Sequence, residues 1–284
     1  MSILPLLALL GWGAFVGVIF STIGAAGGIL ASFGLITLFG LADPNAIKPM
    51  AQILVLAATI TFVPGYLRRS CLIIPLGLLL GAGGLVGAYV GSTVSSYYLS
   101  DMNTFRPLFG GLTLAIAAQI FWKLIRAQSD SPTIVAEPQG SADQRVSNVS
   151  TSIRAVSFSF ADKHYEVPTW SPIVAGAVIA TTASIFGVGG GFLLVPYMAS
   201  FLAMPMHIVP ATAAVAIFIS LLVSIGNFLA LGASLQYDLL LPLAIGVVFG
   251  AIAGPFINKA SKNVWLQVMM AVIVAAIGLK YTLL

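Results

Sequence analysis

Phe186-Gly187-Val188-Gly189-Gly190-Gly191-Phe192 places glycine at four of seven positions between two apolar runs, Pro172 to Ile185 and Phe192 to Met204. Glycine is a poor helix-interior residue, about 1 kcal/mol worse than alanine, so this stretch breaks a helix inside an apolar segment. Broken backbone at membrane depth leaves N–H and C=O groups unpaired. It persists only where protein or a water-lined cavity satisfies them. A weaker copy, Ile23-Gly24-Ala25-Ala26-Gly27-Gly28, also lies between apolar runs. Interruptions at matching places in two halves of a chain mark a ligand site between them at the membrane midplane.

The composition agrees with a membrane location. The 284 residues are 59% hydrophobic and 7% charged, with a mean hydropathy of +1.06. A soluble domain is about 25% charged, so too few charges are present to cover a water-facing surface. The chain reads as an all-α polytopic membrane protein whose first partner is the lipid bilayer. Its net charge of +4 comes from scattered basic residues without a basic stripe, which excludes a nucleic-acid surface. The single Cys71 excludes an internal disulfide and any multi-cysteine metal site, and reads as a small apolar residue. Met1-Ser2-Ile3-Leu4-Pro5 lacks the basic start of a cleaved signal peptide, and its apolar run continues through Leu41. That segment is expected to be structural.

Three regions follow: a first membrane repeat over 1–127, a polar cytoplasmic linker over 128–169, and a second membrane repeat over 170–284. Each repeat opens with its broken segment. Spans near Ala46–Leu67, Leu72–Leu99 and Thr104–Ile125 follow in the first, and near Ile208–Leu231, Tyr237–Ile257 and Val264–Leu283 in the second, each close to the 20 residues a crossing needs. The linker holds five of the eight acidic residues. It is expected to be a flexible tether, although Val156-Ser157-Phe158-Ser159-Phe160 alternates like a strand and suits a short hairpin. The repeats align feature by feature. Gly24-Ala25-Ala26-Gly27-Gly28 matches Gly187-Val188-Gly189-Gly190-Gly191, and Lys48-Pro49 matches Val209-Pro210. Pro75 matches Pro242, Gly83 matches Gly250, and Gly87 matches Gly254. The last two pairs read as close helix packing.

Length argues that each broken segment doubles back. About 33 residues of helix would span about 50 Å, against a hydrocarbon core of about 30 Å, so two arms of about 20 Å meeting at the glycines fit better. Basic residues give the orientation. Fold-back places Arg68, Arg69, Lys123, Arg126, Lys259 and Lys262 in the cytoplasm against Lys48, Arg106 and Lys280 outside, six to three. Single crossings give five to four, so the positive-inside rule favours fold-back, with the second repeat inverted relative to the first.

The run into Gly-x-Gly-Gly-Gly, the following Pro196, the glycine-rich copy in the first half, four hydrophobic segments per half and a polar central loop together resemble the TauE/SafE family of sulfite and organosulfonate exporters. The resemblance covers nearly the whole chain outside the linker. The first motif departs from the second by reading Gly-Ala-Ala-Gly-Gly. The resemblance implies export of a small sulfur-containing anion, sulfite or an organosulfonate such as sulfoacetate, across a bacterial inner membrane. Other readings of the same segments are an anion channel or a carrier of another small carboxylate or oxyanion.

The residues supply a chemistry for such a ligand. Helix arms that begin at a glycine break present unpaired N–H groups and the positive end of the helix dipole, which suits an anion without a buried cation. The expected substrate-binding residues are therefore Gly24, Gly27, Gly28, Gly187, Gly189, Gly190 and Gly191. Ser21, Gln52, Thr212 and Asn227 add polar groups, and Lys48 is expected at the cavity mouth. Thr22, Thr181 and Ser184 are further hydroxyls close to the breaks, where bonding to their own helix is the plainer role. His207, just beyond the second hairpin, reads as a loop residue. No Asp or Glu falls in mid-span, and no phosphate-cradling or His-x-x-x-His motif occurs. The chain is thus expected to be a carrier that works by alternating access, with no cofactor and no enzymatic role. A homodimer is compatible with this organisation.

Overall fold

A computed structural model of the chain describes residues 3–23, 26–67, 72–129, 147–152, 155–160, 163–204, 208–260 and 263–283. Gly24, Cys71, His207 and the linker stretch 130–146 lie outside the described residues.

The first half of the chain contains α1 (Ile3–Ile23), α2 (Gly27–Phe33) with a π-helical turn at Gly34–Leu38, α3 (Pro44–Leu67), α4 (Ile74–Tyr98) and α5 (Met102–Ser129). The second contains α6 (Trp170–Phe186), α7 (Gly191–Pro196) with a π-helical turn at Tyr197–Phe201, α8 (Val209–Ala230), α9 (Tyr237–Ala260) and α10 (Asn263–Leu283). The order is the same twice. Five helices among the described residues are long and apolar enough to cross a membrane: Ile3–Thr22, Ile74–Tyr98, Met102–Trp122, Val209–Ala230 and Tyr237–Gly254. The outward faces of α4 and α9, with Leu78, Leu85, Val86, Phe249 and Ile252 exposed, are apolar as lipid requires.

Both broken segments double back. A side chain at Gly34 would strike the Trp12 indole, and one at Gly27 would strike Phe20, so the return arm runs antiparallel along α1. In the second hairpin the Ser171 and Tyr197 hydroxyls share a 2.8 Å hydrogen bond, and Gly190 sits beside Ile179. The arms are unequal, against expectation. The 21 residues of α1 span about 32 Å, whereas its return arm spans roughly half of that.

Backbone geometry repeats between the hairpins. Ala26 (φ 64°) corresponds to Gly189 (φ 72°), and Gly40 (φ 71°) to Ala203 (φ 49°). In each matched pair, one member is an alanine held in the left-handed region, which normally disfavours residues with a Cβ by about 1–2 kcal/mol. The π turns match as well: Phe39 N–H donates to the Gly34 carbonyl at 3.0 Å, and Leu202 N–H to the Tyr197 carbonyl at 3.1 Å.

Glycine seams hold the repeats together. Gly83, Gly87 and Gly91 of α4 pack on the backbone of α6 at Ile173, Ala177 and Thr181, and Gly176 returns against Leu80. Gly246 and Gly250 of α9 pack on α1 at Leu10 and Ala14, and Gly254 packs on Ser21; Gly13 and Gly17 return against Leu243 and Val247. Both seams therefore join one repeat to the other, with the paired helices running parallel. Lipid offers no hydrophobic drive between helices, so close backbone packing of small residues supplies the attraction. The α5–α10 pair runs antiparallel, with Gly110 against Thr282 and Gly278 against Leu114. The core between these pairs is built from α3 and α8, where Ile47, Met50, Leu54, Val209, Ala213 and Ile217 are buried.

The linker corrects one expectation, the flexible tether. Residues Ser147–Thr151 (β1), Ala155–Phe160 (β2) and Lys163–Pro168 (β3) form an antiparallel meander. Alternation puts Val156 and Phe158 on one face of β2, and both are fully buried with Val167. The Phe158 and Tyr165 rings stack across the strands at 5.0 Å. That apolar face is what a flexible tether lacks.

Candidate functional site

The two breaks touch. A Cβ on Gly28, at the start of α2, would overlap the Val188 carbonyl in the second break, so only glycine lets the two backbones meet there. Gly187, itself in the left-handed region at φ 71°, presses on the Cα and Cβ of Lys48 at the start of α3, and Gly189 presses on Val55. The two breaks and α3 thus converge on one point.

A small cavity lies beside that point, about 10 Å³, room for a single water. Gly189 and Gly190 contribute its break side, Ile179 and Ser184 its α6 wall, Ser220 its α8 wall, and Gln52 reaches it from α3. Gln52 is fully buried, and neither its amide nitrogen nor its amide oxygen has a hydrogen-bond partner. A buried amide left unpaired costs about 1–3 kcal/mol. It presents both a donor and an acceptor to whatever enters.

The other expected residues have different surroundings. Lys48 is fully buried rather than at a cavity mouth. Its ammonium donates to Asn45 Oδ1 (3.1 Å), to the Ser95 carbonyl (3.1 Å) and hydroxyl (2.8 Å), and to the Leu99 carbonyl (2.9 Å). It also lies 5.5 Å from the Phe105 ring centroid and 5.7 Å from that of Phe228. A cation on the last carbonyls of α4 meets the negative end of the helix dipole. Ser95 continues the chain by donating to the Ile185 carbonyl at 2.5 Å, one residue before the end of α6. Lys48 therefore ties the α4 terminus to the second break.

Thr212 is buried, and its hydroxyl accepts from Ile73 N–H at 3.2 Å, capping the entry to α4. Asn227 donates to the Ser92 and Thr93 hydroxyls at 2.8 and 2.9 Å, clamping α8 to α4. Ser21, Thr22 and Thr181 bond back to carbonyls of their own helices. Of the expected polar residues, the structure brings Gln52 and Ser184 to the cavity with Gly189 and Gly190. Ser220 was not foreseen. Its signal was the spacing of Ala216, Ile217, Ser220 and Leu221, one face of α8, opposite the small-residue face of α6 at Gly176, Ala180 and Ala183.

Paired fold-back hairpins whose breaks meet inside a bundle of apolar helices define an all-α polytopic membrane protein. The chain belongs to the sulfite exporter TauE/SafE family, whose model matches residues 9–281. It is 24% identical over 277 residues to the probable membrane transporter protein YunE of Bacillus subtilis (strain 168), covering 94% of this chain and 93% of that protein. No solved structure matches.

Proposed function

We propose that the protein exports a small sulfur-containing anion, sulfite or an organosulfonate such as sulfoacetate, across a bacterial inner membrane by alternating access. The observation that carries this reading is Gln52, whose amide is buried without a partner against the second glycine break. Buried polar atoms without partners are rare, and each asks for a reason; an intermittently bound ligand is one. An anion there receives the Gln52 N–H₂, the Ser184 and Ser220 hydroxyls, and N–H groups near Gly189 and Gly190. Among the described residues, no charged side chain borders the cavity. A site of this kind binds without the desolvation cost of a buried cation.

The cavity is smaller than any oxyanion, so in the proposed cycle the site widens to admit the substrate. Inversion of the repeats is supported by helix direction. The first hairpin returns to the face where α1 starts, so after α3 crosses, α4 starts on the opposite face. Because α6 runs parallel to α4, the second repeat starts on the face opposite α1. Two inverted halves rocking about a fixed midplane site fit this arrangement. The membrane potential favours outward movement of negative charge by about 2.3 kcal/mol per charge per 100 mV.

The test is sulfite efflux from proteoliposomes under an imposed potential without a pH gradient. Saturable flux that rises with the potential is expected. Flux that requires the pH gradient, or that grows linearly with concentration as through a pore, would defeat the proposal.

A further inference from the structure

A second cavity, about 270 Å³, is lined by Ile36, Thr37, Arg106, Lys280 and Tyr281, none of which borders the central cavity. Two cations border it. Among the described residues neither forms an ion pair, and Arg106 Nε is buried without a hydrogen-bond partner. The Lys280 ammonium lies over the Phe33 ring, 5.8 Å from its centroid. The Thr37 and Tyr281 hydroxyls bond each other at 2.6 Å. A pair of hydroxyls uses only one of its two hydrogens internally, so the other is left to donate outward. Like charges left together without a counter-charge repel one another, and a guanidinium fork matches the geometry of an oxyanion.

We propose that this cavity binds an oxyanion of the sulfate, sulfonate or phosphate class, gripped by Arg106 and Lys280 and oriented by the Thr37–Tyr281 hydroxyl pair. The ligand bridges three elements: the π turn of the first hairpin through Thr37, α5 through Arg106, and α10 through Lys280 and Tyr281. Occupancy therefore fastens the return arm of the first hairpin to the α5–α10 pair. The site stands apart from the central cavity and does not rest on the transport reading. Either a free anion or the phosphate of an anionic lipid carries this chemistry.

Melting of the detergent-solubilised protein at low salt distinguishes the sources. One arm titrates sulfate, the other dihexanoyl phosphatidylglycerol, both in an uncharged maltoside. A saturable rise on the order of a few °C is expected in at least one arm, with the affinity reduced roughly tenfold or more in Arg106→Gln and Lys280→Gln. Lys280 is exposed, so its variant serves if Arg106→Gln fails to fold. A rise with sulfate assigns the site to free anions, and a rise with lipid alone assigns it to a headgroup. No rise in either arm overturns the proposal. So does a rise that Gln52→Leu abolishes and both cation variants keep, since that binding belongs to the central cavity.

Discussion

At the scale of the residue, two buried polar side chains have opposite roles. Gln52 has no partner, so its removal relieves a cost: Gln52→Leu should melt at or above the wild-type temperature while anion binding weakens by about 0.5–1.5 kcal/mol, or up to about 3 for a charged partner. Melting and proteoliposome flux on the same preparation measure both, and a variant that loses stability without losing flux contradicts the assignment. Lys48 is the reverse case. Lys48→Ala orphans the Leu99 carbonyl, while the Ser95 carbonyl keeps the Leu99 N–H as a donor, and should lower stability by about 1–3 kcal/mol for the acceptor left dry. If Lys48 instead steered ions inward, the variant would melt normally and its flux deficit would shrink with added salt. The sequence offered no way to tell the two apart. Both residues lie on α3 among apolar neighbours, and only three-dimensional packing decides that the carbonyls of Ser95 and Leu99 arrive at Lys48 and nothing arrives at Gln52.

At the scale of the element, the hairpins were legible because glycine announces a break wherever it falls in an apolar run. The unequal arms and the π turns were not, since a π turn has no residue signature and arm length depends on what the helix packs against. The linker sheet was half legible: Val156 and Phe158 alternate visibly, while β1, Ser-Asn-Val-Ser-Thr, carries no apolar pattern. The glycines of the second break are also not equivalent. Gly189 sits at φ 72° with Val55 Cγ1 2.9 Å from where a Cβ would stand. Gly190 has φ −70° and an ordinary helical conformation, so the left-handed backbone lies at Gly187 and Gly189. A Cβ on Gly190 would lie 3.3 Å from the flexible end of Leu194. Gly190→Ala should therefore fold with near-normal stability and stop transport by filling the cavity, whereas Gly189→Ala should lose about 1–2 kcal/mol of stability. Equal loss of melting temperature in both variants would show that the second break serves folding alone.

At the scale of the whole molecule, the proposed inverted arrangement, oriented by the positive-inside rule, has the linker in the cytoplasm and the C-terminus outside. A reporter fused after Leu284 should be active when it functions outside the cytoplasm and silent when it requires the cytoplasm; the opposite pattern removes the inverted arrangement. The close-packing role of Gly83, Gly87, Gly250 and Gly254 was legible in sequence, but their partners were not, because helical spacing gives a face and never says which helix meets it. Those partners carry a consequence for how the protein is made. Gly13 and Gly17 of α1 need Leu243 and Val247 of α9, and a ribosome adding about 5–20 residues per second delivers that stretch roughly 10–50 s later. Throughout that interval the earliest helix has no seam to close. Its small-residue face must wait against lipid or an insertion factor, so ribosomal stalling ahead of α9 leaves a nascent chain with its first crossing unclasped and open to quality-control proteolysis.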